Sequence, residues 1–256
     1  MNQFEQFLKL PNLLDFNNVL FVGPHPDDIE YGAGGLIIKL RELKKNVHFL
    51  ICTDGSCGTK DKTVKPEDLA AIRKQESLDG AKLLDVESVR FLGYRDGGNY
   101  SVDSPKVDIA KVILELRPDL IVSPDPALST ETHPDHINVA NAVHSALFIA
   151  NYPNNAVSYG INIDSIDDFA FEATIAYYYT ERANCLIGLT AADVKKTNES
   201  IYCHKSQLDP SALLLIQYMD ARKKMLGESI NAEFAEDYFV LAPLFQHCFQ
   251  DIKLIK

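Results

Sequence analysis

Between residues 18 and 150 the chain repeats one pattern four times: a short apolar run, then a longer segment with helical spacing. Nothing else in the sequence narrows the fold as much. The apolar runs are "NVLFVGP" (18–24), "NVHFLICTDG" (46–55), "SVRFLGYRDGG" (88–98) and "DLIVSPDP" (119–126), and each reads as a buried strand. After the first, "GGLIIKLRELKK" (34–45) places Leu36, Ile37, Leu40 and Leu43 at helical spacing, with basic residues towards its end. Further helices are expected from Pro66 to about Asp85, from Ser104-Pro105 to about Arg117, and from Pro134 to about Ala150. Strand–helix alternation of this kind implies a mostly parallel sheet with helices on both faces, an α/β, Rossmann-like three-layer sandwich. Ligands of such sheets collect at the carboxyl ends of the strands. The residues expected there are His25–Asp28, Thr53–Gly58, Arg95–Asp96 and Pro124–His136.

The last third is less regular. Residues 151–168 read as a loop excursion, "FEATIAYYYTE" and "ANCLIGLT" as strands, and "AADVKKTNESIYCHKSQL" as the start of a helix. A helix over about 211–226 and a strand at "DYFVLAPL" follow. Without a repeat, low-complexity tract or clear linker, residues 1–256 are expected to form one domain. Its core would lie in 1–150, and 151–256 would shape the substrate pocket. A net charge of −11 argues against nucleic acid and anionic membranes as partners. The five cysteines include no CxxC pair, and the first residues lack a basic segment followed by an apolar one. Reduced thiols, a cytoplasmic location and no membrane insertion are therefore expected.

The chemistry concentrates in two clusters. "PHPDDIEYGAGG" (24–35) sets His25, Asp27 and Asp28 on the loop after the first strand. His25 and Asp28 are close enough in sequence for one tight loop to bring them to a single ion, leaving Asp27 free to face water; imidazole and carboxylate are ordinary zinc ligands. The competing reading is a helix cap with acidic residues at its positive end. In "ETHPDHINVANAV" (131–143), His133 precedes Pro134, and His136 shares an inward stripe with Ala140, Val143 and Leu147. The positive helix end would keep His136 neutral and fit to bind metal. Two His/Asp clusters at one sheet edge point to a metal site rather than to two caps. On the helix after Pro66, Arg73 and Glu76 sit within an apolar stripe, either as a structural ion pair or with Glu76 holding Arg73 towards a polar ligand. "GAGG" is not GxGxxG, there is no GxSxG, and the adjacency of Cys203 and His204 is read as chance.

"HPDD.E.G.GG" (25–35) and "HPDH" (133–136), with Arg73 to Glu76, "FLGYRDG" (91–97) and "CHKSQ" (203–207) between and after them, resemble the LmbE-like/PIG-L family of zinc-dependent N-acetylglucosamine deacetylases. Departures are Pro24 in place of a small residue and Glu131-Thr132 before the second motif. The resemblance implies that His25, Asp28 and His136 bind Zn2+, that Asp27 is the general base, and that His133 is an electrophile or general acid. It implies further that Asp135 orients a histidine, with His133 the expected one, and that Arg73 and Asp96 contact the sugar. Fe2+ suits a His2Asp set as well as zinc does. A small amino-sugar substrate and homo-oligomerisation follow from the same resemblance. A metal-dependent amidase for a non-sugar amide, and a non-catalytic metal- or sugar-binding protein, are the alternatives.

Overall fold

The computed structural model describes residues 9–166, 169 and 172–247. Its strands are β1 (Asn18–Gly23), β2 (Asn46–Thr53), β3 (Ser88–Tyr94), β4 (Leu120–Pro124), β5 (Thr174–Tyr178), β6 (Cys185–Leu189) and β7 (Phe234–Leu241). The helices are α1 (Asp28–Glu42), α2 (Pro66–Leu83), α3 (Ser104–Leu116), α4 (Pro134–Asn151), α5 (Pro153–Ser158), α6 (Ala191–Ile201) and α7 (Pro210–Ser229). One sheet runs in the order β3-β2-β1-β4-β5-β7-β6. The pairs among β1 to β5 are parallel, and β7 is antiparallel to both of its neighbours.

The mostly parallel α/β sheet with helices on both faces is as the alternation implies. Successive β1 side chains part to opposite faces, as the period of a strand requires. Leu20 and Val22 enter the core shared with α3 and α4, and Val19 and Phe21 enter the one shared with α1 and α2. The chain winds outward through β2 and β3, then returns to place β4 on the other side of β1. That reversal opens a crevice at the carboxyl ends of β1 and β4, the usual ligand position of an open α/β sheet.

Three features depart from the reading by periodicity. The short helix α5 occupies part of the expected loop, and β7 begins three residues earlier than expected. α1 begins at Asp28, ahead of the segment 34–45 read as helical, so all the glycines of "GAGG" lie inside it. They serve close packing. A Cβ on Gly32 would collide with the Tyr178 ring, and one on Gly35 would come within 2.9 Å of the Glu236 carboxyl carbon. α1 is kinked at Ala33 (φ −149°, ψ 17°), which frees the amides that follow. Gly35 and Leu36 donate theirs to the two Glu236 oxygens, each at 2.9 Å. Buried Glu236 also accepts from Tyr238 Oη at 2.7 Å and meets buried Lys223 Nζ at 3.1 Å. A strand of the last third thus caps the half-helix behind the first motif.

Candidate metal centre

The β1–α1 loop turns sharply at "HPDD": the Asp27 amide donates to the His25 carbonyl at 2.9 Å, and the His25 amide to Asp28 Oδ2 at 2.8 Å. Thr53 at the end of β2 fastens the loop, its amide and hydroxyl both donating to the Pro24 carbonyl. His133 caps α4, its Nδ1 accepting the Asp135 amide at 3.2 Å, and His136 stands one turn further in.

His25, Asp28 and His136 converge. His25 Nδ1 is 3.0 Å from Asp28 Oδ2, and His136 Nε2 is 3.3 Å from Asp28 Oδ1. One ligand atom from each of the three lies within 4.8 Å of the others. The outward nitrogen of each ring is held by a carboxylate. His25 Nε2 faces Asp135 at 3.1 Å and Asp96 at 3.2 Å, and His136 Nδ1 faces Glu131 at 2.9 Å. Carboxylates behind metal-binding imidazoles fix ring orientation and raise ligand basicity. His25, Asp96, His133 and Asp135 form a second group within the same distance of one another. The first fits a reactive ion better: Asp28 and His136 line a cavity of about 670 Å³, leaving room for an open coordination position. Asp135, by contrast, is fully buried and already accepts the Gly97 and Gly98 amides at 2.7 and 2.8 Å.

Carboxylates dominate the electrostatics of the site. Burial would raise the Asp28 carboxyl, but His136 and His25 outweigh it and hold the group well below the usual range. Burial opposes charge on the histidines too, yet Asp135, Asp28 and Asp96 keep His25 well above its ordinary value. Against the same penalty, Asp28 chiefly pushes His136 up to about 9, whatever the helix end contributes in the other direction. Protons and a metal ion compete for these nitrogens. Burial pushes Asp27 up, opposed by the Arg73 guanidinium whose Nη2 stands 3.1 Å from Asp27 Oδ2.

The sequence-derived residues are therefore brought together, with different partners in three cases. Asp135 sits on His25 and not, as expected, on His133, whose Nδ1 is 3.8 Å from its carboxylate. Asp96 is buried, bonded by the Cys57 amide at 2.9 Å and facing His25. Arg73 does not pair with Glu76. It is buried, donates to the Gly55 carbonyl at 3.0 Å and meets Asp27, while Glu76 accepts from Ser206. Periodicity missed Glu131, Tyr179, whose ring lies parallel to His136 at 6.2 Å, and the buried Glu30–His204 pair at 3.1 Å. Tyr179 follows β5 at its carboxyl end, so the rule that located the two motifs also pointed to it.

A family model described as PIG-L, GlcNAc-PI de-N-acetylase, matches residues 20–147. The chain is 30% identical over 235 residues to the diacetylchitobiose deacetylase of Thermococcus kodakarensis, covering 91% of this chain and 86% of that protein. It is 35% identical over 136 residues to a probable N-acetyl-alpha-D-glucosaminyl L-malate deacetylase 2 of Bacillus subtilis, covering 51% of this chain and 61% of that one. Among solved structures, the N,N'-diacetylchitobiose deacetylase of Pyrococcus horikoshii superposes with a TM-score of 0.85 at 28% identity, over 99% of this chain and 98% of that one.

Proposed function

The chain belongs to the PIG-L family, and from that premise we propose that it removes the acetyl group from an N-acetylglucosamine-type saccharide by metal-dependent hydrolysis. One observation carries the reading: a His2Asp donor set at the wall of a cavity that also exposes a second, Arg-held carboxylate, Asp27. His25, Asp28 and His136 would hold zinc or ferrous iron, a donor set that suits either. Such an ion supplies Lewis acidity to the acetamide carbonyl and acidifies water.

The chain's own groups do the rest. Asp27 takes a proton from the attacking water, a role worth roughly 10²–10⁴ in rate. Burial raises the basicity of its carboxylate, and Arg73 keeps it in place. Because His133 Nδ1 accepts the Asp135 amide, its neutral ring carries the proton on Nε2. Burial and the neighbouring His25 and His136 lower its pKa, so the ring stays neutral and keeps Nε2–H as a hydrogen-bond donor. Its Nε2–H donates to the oxygen that gains charge, and the departing nitrogen receives the proton that Asp27 took from the water, or one from His133 when that ring is itself protonated. The C–N bond breaks, and acetate and a free amino sugar leave.

Acetate release from N,N'-diacetylchitobiose, with metal analysis of the same preparations, tests this. Asp27→Asn is expected to keep its metal and lose about 10²-fold or more in kcat, whereas His136→Ala should lose the metal. Near-normal turnover by metal-loaded Asp27→Asn would refute the base assignment. A non-sugar amide as the better substrate would favour the amidase reading, and tight sugar binding without acetate release would favour a binding protein. The same preparations, run on a sizing column, test homo-oligomerisation. Among the described residues no helix is long and apolar enough to cross a membrane.

A further inference from the structure

Several buried polar groups beside the metal centre are committed to one short segment. Residues 204–207 cross beneath the mouth of the site as a strap between α6 and α7, closed by tight turns such as the Gln207 amide on the His204 carbonyl at 2.9 Å. The strap has two anchors. His204 Nε2 meets Glu30 of α1 at 3.1 Å, both side chains 1% exposed. Ser206 donates its amide and its hydroxyl to Glu76 of α2 at 2.8 and 2.6 Å. Gly80 of α2 makes room for the first anchor, because a Cβ there would come within 2.9 Å of Glu30 Oε1. Two buried carboxylates and a buried imidazole are thus committed to fixing four residues.

What the strap presents is Gln207. Gln207 lines the cavity together with Asp27 and Asp28. The amide is oriented from behind, with Nε2 donating to Ser206 Oγ at 3.0 Å. Oε1 lies towards Gly58, where a Cβ would come within 2.8 Å of it. An amide offers two donor hydrogens and an acceptor, which suits a hydroxyl that both gives and takes a hydrogen bond.

We propose that Gln207 is a specificity-determining residue that binds a saccharide hydroxyl, and that Ser206, locked onto Glu76, is the positioning residue that aims it. This rests on the amino-sugar reading above. A side chain built to pair a substrate hydroxyl favours sugars over amides that lack one, since its polar group is otherwise left unpaired.

The test is a mutant cycle on N,N'-diacetylchitobiose, read as KM against kcat with metal content and thermal midpoint measured alongside. Gln207→Ala should raise KM about five- to tenfold and leave kcat within about twofold, the pattern of lost uniform binding. Ser206→Ala should raise KM about threefold alone and add nothing in the Gln207→Ala background, because it acts through Gln207. Both variants should hold wild-type metal. An unchanged KM in Gln207→Ala, or a Ser206→Ala factor that persists without Gln207, would overturn the inference. A wild-type protein that releases no acetate strikes instead at the deacetylase reading. Calorimetric binding of the same disaccharide then tests Gln207 by itself, with equal affinity in wild type and Gln207→Ala refuting the role.

Discussion

Glu131 stands behind His136 as Asp135 and Asp96 stand behind His25, so each imidazole is gripped at the nitrogen turned away from Asp28. Glu131→Gln keeps the shape and removes the charge. Carboxylates in this position typically contribute 10- to 100-fold to metal affinity, so competition with a chelating indicator should show a loss of about that size. Asp28 and Asp27, adjacent in sequence, have opposite surroundings: two imidazoles hold the first ionised, and burial raises the second. The candidate ligands could be picked out in the sequence because HPDD and HPDH follow strand ends. Their partners were not. Asp135 was expected on His133, and only the position of the Gly97–Gly98 turn decides that it faces His25. Likewise Glu76 looked like a partner for Arg73, until a segment 130 positions away supplied Ser206.

α1 carries Asp28 at its first position and depends on β7 for its second half. Glu236 caps the amides freed by the kink and is itself balanced by Lys223 of α7. Glu236→Gln leaves that ammonium buried without its counter-charge, a change that costs about 3–5 kcal/mol in comparable pairs. Urea unfolding should show a loss of that order, and a change below about 1 kcal/mol would mean that Lys223 finds another partner or reaches solvent. Most elements of the first 150 residues were readable because each has one dominant pattern: β1, β2 and β4 are short, buried and mostly apolar, and α4 carries an inward stripe. α1 was misplaced because its first turns hold glycines and acids in place of a stripe. The reason lies across the fold, in the Tyr178 ring and the Glu236 carboxylate.

Across the whole molecule, protonation pulls stability in two directions. The Asp125 and Asp193 carboxyls are buried, which would raise them, but Arg182 and Thr180 for the first and Lys39 and Thr190 for the second hold them below their usual values. Burial likewise lowers the His144 imidazole. Groups lowered by folding contribute stability above their unfolded pKa and lose it as pH falls through the folded one, so acid should unfold the protein progressively from below about pH 6. His136 has the opposite sign. Raised to about 9, it contributes fully below its unfolded value and loses that contribution as pH climbs through the folded one. A metal ion replaces the proton. Chelator-stripped protein should therefore show a thermal midpoint that falls between about pH 6.5 and pH 9.5, while the metal-loaded form should not. Parallel alkaline limbs would mean that the proton on His136 is not what the metal displaces.

The place of β7 carries a consequence for how this molecule is made. It pairs with β5 on one side and β6 on the other, yet it is translated after both. While the ribosome is still adding residues 234–241, β5 and β6 each present an open edge, and the amides of Gly35 and Leu36 wait for Glu236. The nascent chain therefore carries both candidate metal motifs before Glu236 is there to cap the second half of α1. On the proposed reading, the site at the start of α1 is complete only once the last strand has filled the gap between its neighbours.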